Sequence, residues 1–147
     1  MATISGGDRL AARLKELSKN VTKSAELSVG FLAGATYPDG TSVPMVAAIQ
    51  EFGAPSRNIP PRPYFRNMIA AKADSWPDSV AGLLVTNNYD ATKTLMQTGD
   101  GIKGQLQQSI HDTNSPPLAP ATIAKKGFDK PLIDTAVMIN SIDYKVE

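Results

Sequence analysis

His111 is the only histidine of the 147-residue chain, and Ser109 and Asp112 stand beside it. A hydroxyl, an imidazole and a carboxylate are the parts of a hydrolytic site: nucleophile, general base and orienting acid. Here Ser109 and His111 belong to one predicted helix, and Asp112 follows at its end. Close neighbours on a helix point in different directions, whereas a triad must converge in space. A histidine near a helix C-terminus more commonly satisfies end carbonyls and the helix dipole. That is the reading adopted for His111. No catalytic residue is assigned, and the chain is expected not to be an enzyme.

Metal and cofactor chemistry find equally little. With no cysteine in the sequence, disulfides and thiolate metal sites are excluded. An all-oxygen site would need convergent carboxylates, and Asp39, Asp74, Asp78 and Asp90 lack the spacing of a calcium loop. They read as solvated carboxylates and helix caps. Gly6-Gly7 and Gly99-Asp100-Gly101 carry neither a phosphate-loop lysine nor the dinucleotide fingerprint. No metal and no cofactor are expected. Arg57, Arg62 and Arg66, and the pair Lys125-Lys126, would act on phosphates only if symmetry repeated them around a channel. The formal net charge is +1, which gives whole-chain attraction to nucleic acid or to an anionic membrane no support.

The elements that would position these groups follow from periodicity. Hydrophobic residues make up 41% and charged residues 20%, so the chain is globular, a single domain over residues 1–147. Aromatics are only 6%, so the core must be built mostly of Leu, Ile, Val, Met and Ala. No apolar run reaches the roughly 18 residues of a spanning helix. Charges occupy the place where a signal peptide would be apolar, so a cytoplasmic setting is expected. Residues 1–24 form an N-terminal helical segment. Its helix runs from Asp8, the expected N-cap, to Val21, with Leu10, Leu14, Leu17 and Val21 on one stripe.

Ala25 to Leu32 alternates as a strand, with Leu27, Val29 and Phe31 on one face. Tyr37-Pro38-Asp39-Gly40 is a turn. Helices follow over Val43 to Phe52, Tyr64 to Ala73 and Asp78 to Val85, the last two separated by Ser75-Trp76-Pro77. After Asn87-Asn88, Asp90 caps a long helix to about His111, carrying Leu95, Ile102, Leu106 and Ile110. Gly99, Gly101 and Gly104 each cost that helix roughly 1 kcal/mol. Close packing at those positions, or a bend, would explain them. Residues 112–131 form an extended connection with one short helix near Pro120 to Lys126, expected to lie at an interface. A final strand, Ser141 to Val146, places Ile142, Tyr144 and Val146 on one face. The fold class is therefore α+β: a small antiparallel sheet, strands near 25–33 and 140–146, packed against several helices with the long one near 90–111.

The segment VPMVAAIQEFGAPSRNIPPRPYFRNMI, Val43 to Ile69, joins two of these helices. Gly53 supplies the positive-φ conformation that ends the first. Pro60, Pro61 and Pro63 cannot lie in a helix interior or central strand, and Pro63 suits the first turn of the second helix. The product is a rigid elbow studded with Arg57, Arg62 and Arg66. It suits a structural part better than a reaction centre.

Four stretches in order, SVGFLAGATYPDGTSVPMVAAIQEFG, NIPPRPYFRNMI, GIKGQLQQSI and PPLAPATIAKKGFDKPLIDTAVMINSIDYKV, resemble the neck and tail-completion proteins of tailed bacteriophages. The resemblance covers about residues 25–147. One position departs from it: where family members often carry glycine after the PLxxT threonine, this chain has Ala136. The resemblance implies a structural virion protein that forms a ring, commonly hexameric, at the neck or head-proximal end of the tail. It implies contacts with copies of itself, with the tail terminator or tail tube protein and with the head-closure or connector protein. DNA would pass through the ring without sequence-specific binding, and no membrane partner is implied. The interface residues expected on this basis are Glu51, Phe52, Arg57, Arg62 and Arg66 at the elbow, and Pro117, Leu118, Lys125 and Lys126 in the connection. Arg57 or Arg62 is expected to reach a carboxylate such as Glu51 of a neighbour. The alternatives are a non-virion tail assembly factor, and a tail terminator or head-side adaptor.

Overall fold

Five helices longer than two turns and one two-stranded sheet make up the fold in the computed structural model, which describes residues 5–24, 26–113, 120, 124 and 136–147. They run as α1 (Gly7–Val21), β1 (Leu27–Phe31), α2 (Val43–Phe52), α3 (Tyr64–Lys72), α4 (Trp76–Thr86) and α5 (Ala91–Asp112). A four-residue α6 (Val137–Asn140) then leads into β2 (Ile142–Val146). The α+β class, the antiparallel pairing of the two strands and the long fifth helix all agree with the sequence reading.

β1 and β2 pair with Leu27 opposite Val146, Val29 opposite Tyr144 and Phe31 opposite Ile142. Alternation then sends those six side chains to one face, where α5 lies across both strands and α3 lies beside β1. Val43 and Ala47 of α2, Tyr64 and Met68 of α3, Leu106 and Ile110 of α5, Met138 and Ile139 of α6, and Ile142 of β2 form one core. Tyr64 is its centre. Its ring meets Phe31 edge-on at 6.3 Å, and its hydroxyl donates to the Ala47 carbonyl at 3.0 Å. Burial pushes the Tyr64 phenol above its ordinary pKa. Trp76 donates its indole N–H to Gln105 Oε1 at 2.9 Å, fixing α4 to α5.

Several local expectations hold. Asp90 caps α5 by accepting from the Lys93 amide, and the turn at Tyr37 closes with Gly40 at φ 84°. Gly99 is explained by close packing: a Cβ there would sit 2.6 Å from two ring carbons of Tyr144 and 3.0 Å from Leu27 Cδ1. Gly101 and Gly104 have nothing within 4 Å, so no packing explains them.

Others differ. Gly6, at φ 99°, takes the N-cap position of α1, and Asp8 lies in the first turn, where its charge suits the helix dipole. Pro63 is the N-cap residue of α3 rather than part of its first turn. The break between α3 and α4 is one tight turn, Ala73–Ser75, and α4 already includes Trp76 and Pro77. Proline at the start of a helix loses only an amide that has no acceptor. Ala136 adopts φ 60°, so the position keeps the left-handed backbone that glycine would take without cost.

Candidate assembly surface at the helical elbow

Ser42 opens α2 by accepting the Met45 amide, with Pro44 in the first turn. The helix ends at Gly53, φ 77° and ψ 173°, a region essentially restricted to glycine. A Cβ on Gly53 would stand 2.8 Å from both Ile59 O and Pro61 N. The chain therefore folds back on itself there. A tight turn over Pro55–Arg57 follows, and Ala54 and Ile59 exchange backbone bonds at 2.8 and 3.1 Å. The returning strand is tied to α2 through Arg62, whose amide donates to Gln50 O at 2.7 Å and whose guanidinium donates to Gln50 Oε1 at 3.1 Å.

Glu51 supplies what Pro63 cannot. A helix start leaves amides without acceptors, and proline has no side-chain oxygen to offer them. The Glu51 carboxylate, from the last turn of α2, accepts from the Phe65 amide at 2.9 Å and the Arg66 amide at 3.3 Å. It also takes Arg66 Nε at 2.7 Å. Arg66 donates in addition to the Glu51 carbonyl at 3.2 Å and lies over the Phe52 ring, 5.1 Å from its centroid. One buried carboxylate thus caps a helix fourteen residues away in sequence and anchors a guanidinium.

Beside this polar lock the elbow also exposes apolar side chains. Phe52 is 66% exposed and Met45 52% exposed. A hollow of about 240 Å³ opens beside them, lined by Phe31, Pro44, Ala48 and Phe65 among others.

The elbow gathers Glu51, Phe52, Arg62 and Arg66 as expected, but their roles divide. Glu51 and Arg62 are buried at 5% exposure each. The expected bridge from Glu51 to an arginine of a neighbouring copy is corrected accordingly: within the chain that carboxylate already serves Arg66 and two amides of α3. Phe52 and Arg66 are the exposed members. Arg57 sits exposed on the turn between the helices. Pro117, Leu118, Lys125 and Lys126 lie outside the described residues, as does most of the 112–131 connection and its expected short helix.

Two features were not legible in the sequence. Glu51 as a cap has no sequence signal, because its partner comes into reach only after the chain reverses. The other is the environment of α1. No residue of that helix is buried, and Leu10 and Leu14 are 61% and 57% exposed. Polar residues hold α1 in place instead. Arg13 donates to the Asn88 side chain, Asn20 to Asn88 O at 3.2 Å, and Lys23 pairs with Asp90 at 2.6 Å. At 100° per residue the face carrying Arg13, Glu16 and Asn20 is about a quarter turn from the leucine stripe. Leu10, Leu14 and Val21 of that stripe therefore stay open, while Leu17 is half-buried.

As for the residues singled out for chemistry, Ser109 donates its hydroxyl to the Tyr64 carbonyl at 2.7 Å. His111 is exposed at the end of α5. Among the described residues no hydrogen bond joins the two. The chain matches no protein-family model, no curated protein and no solved structure at a significant level.

Proposed function

We propose that this chain is a structural ring subunit at the neck or head-proximal end of a bacteriophage tail, built to bind copies of itself and the components above and below it. The observation that carries the self-assembling part is α1. Leu10 and Leu14 of its apolar stripe are uncovered, though the helix is tied down through Arg13 and Asn20 on another face. Contiguous apolar surface left open on a well-formed domain marks a contact site. The elbow adds a second such surface at Phe52 and Met45, held rigid by Gly53, the prolines and Glu51. Rigid surfaces lose little freedom on association. Two unlike surfaces on one subunit are what head-to-tail ring closure needs. The phage assignment comes from the order of sequence motifs described above.

Native mass spectrometry of the purified chain tests the assembly, with a closed oligomer of one dominant size as the expected result. Deleting the gene from a phage that carries it should leave filled heads and finished tails unjoined. A chain that stays single at every concentration, or particles that join normally without it, would refute the reading.

A further inference from the structure

The two-stranded sheet has two outer edges, and their hydrogen-bond phase can be worked out. Glu26 and Glu147 exchange both backbone bonds at 3.0 Å. In an antiparallel ladder such pairs alternate with non-bonded ones. Ser28 with Lys145 and Gly30 with Asp143 are then the bonded pairs inside the sheet. The backbone groups of Leu27, Val29 and Phe31 point outward on β1. Those of Ile142, Tyr144 and Val146 point outward on β2. Among the described residues none of the outward groups on β1 has a protein partner. On β2 the Tyr144 amide turns to the Asp143 carboxylate, which it helps to hold below the ordinary carboxylate range.

Among the described residues the space beside β1 is open and apolar. A hollow of about 190 Å³ is bounded by Leu27, Val29, Phe65, Ile69 and Trp76, and the elbow hollow continues it at Phe31. A row of free amides and carbonyls beside apolar hollows is the geometry into which an extended strand is added.

We infer that β1 receives the β2 edge of a second copy, continuing the sheet from subunit to subunit. This inference rests on the ring reading and names one contact within it. The chain carries its own complement. Two outward residues on each edge, all on the same sheet face, fall opposite one another as Leu27 with Val146 and Val29 with Tyr144 of the second copy, whereas Ile142 is buried in its own subunit and the contact stops short of it. The half-buried Tyr144 and Val146 of that copy come to lie beside Val29 and Leu27, at the 190 Å³ hollow. On the other face, neutral Ser28 and Gly30 meet Lys145 and Asp143, so no like charges are set opposite each other. Because β1 and β2 are antiparallel within a subunit, every junction is again antiparallel, and the arrangement repeats head to tail without a two-fold axis. The Asp143 carboxylate releases the Tyr144 amide to the incoming carbonyl and keeps Lys103, 3.3 Å away.

Two experiments read this contact. In Val29→Pro the lost N–H is the outward one, so the ladder within the chain stays whole while the edge is blocked. Val29→Ala keeps the amide and trims the same side chain. The expected result is a native mass that falls to the single chain in Val29→Pro and is unchanged in Val29→Ala, with circular dichroism equal in both. Oligomers of wild-type size in a folded Val29→Pro overturn the edge contact and leave the ring reading intact. A wild-type chain that is already single overturns both.

The second experiment holds even if Val29→Pro fails to fold. The chain has no cysteine, so Ser28→Cys and Lys145→Cys single variants can be mixed and oxidised. Across the proposed junction these residues form a non-bonded pair, about 4.5 Å between Cα atoms, within disulfide reach. A mixed disulfide that forms several-fold faster than in a Ser28→Cys with Asp143→Cys mixture supports the register. Equal or absent linkage in the two mixtures, with the oligomer present, overturns it.

Discussion

Replacing Glu51 by alanine removes the acceptor for two amides of α3 and for the Arg66 guanidinium in one step. The magnitude follows from the geometry. A lost helix cap costs about 0.5–2 kcal/mol, and hydrogen bonds to a charged group contribute about 1.5–3 kcal/mol each when buried. The Arg66 contact must be discounted, because that side chain is 57% exposed and can turn to water. Together these give about 3–5 kcal/mol, a large share of the stability of a domain this size. At about 3–4 °C per kcal/mol the melting temperature should fall by about 10–20 °C. Arg66→Ala removes an exposed ion pair and the contact with Phe52, and should cost only about 1 kcal/mol. Glu51→Gln keeps one acceptor oxygen and should fall between the two. Denaturant unfolding of the three variants measures this ordering. If Glu51→Ala and Arg66→Ala destabilise equally, the carboxylate is an ordinary surface ion-pair partner and the capping argument fails.

Four further outcomes are expected. Gly99→Ala should destabilise by about 1–2 kcal/mol, since overpacking against Tyr144 outweighs the gain in helix propensity, whereas Gly101→Ala and Gly104→Ala should each stabilise by up to about 1 kcal/mol; thermal melts of the three distinguish these signs. Ala136→Gly should stabilise by about 0.5–1 kcal/mol by relieving the left-handed strain, net of the freedom glycine adds to the unfolded chain, and unfolding midpoints will show it. Leu10→Ser with Leu14→Ser should leave the melting temperature within a few degrees, because neither side chain is buried in the chain, yet weaken self-association measured by analytical ultracentrifugation. Stability should also fall on acidification. Lys23 holds Asp90, Arg13 holds Glu16, and the Thr41 amide holds Asp39 below their ordinary carboxyl values. The unfolded chain then binds more protons, so stability is full above about pH 4–5 and is lost as pH falls through the folded-state values. Melts taken from pH 7 to pH 3 check the sign, and Asp90→Asn should flatten part of the slope.

The sequence by itself determined the elements. Alternation at Leu27, Val29 and Phe31, helical spacing through Leu106 and Ile110, proline and glycine at the elbow and Asp90 at a helix start each act within a few residues. Such signals survive in one dimension because they arise from local backbone sterics and side-chain period. What tertiary structure alone decided are the relations between residues far apart. Glu51 reads as one more acid until Gly53 turns the chain and brings it to the amides of α3. Gly99 reads as a weak point of a helix until Tyr144 of the last strand lies against it. Leu10 and Leu14 look like core in a helical pattern, but polar contacts through Asn88 and Asp90 fix α1 by another face and leave them open. Periodicity records that a stripe is apolar; only the packed chain decides whether that stripe is covered by its own fold.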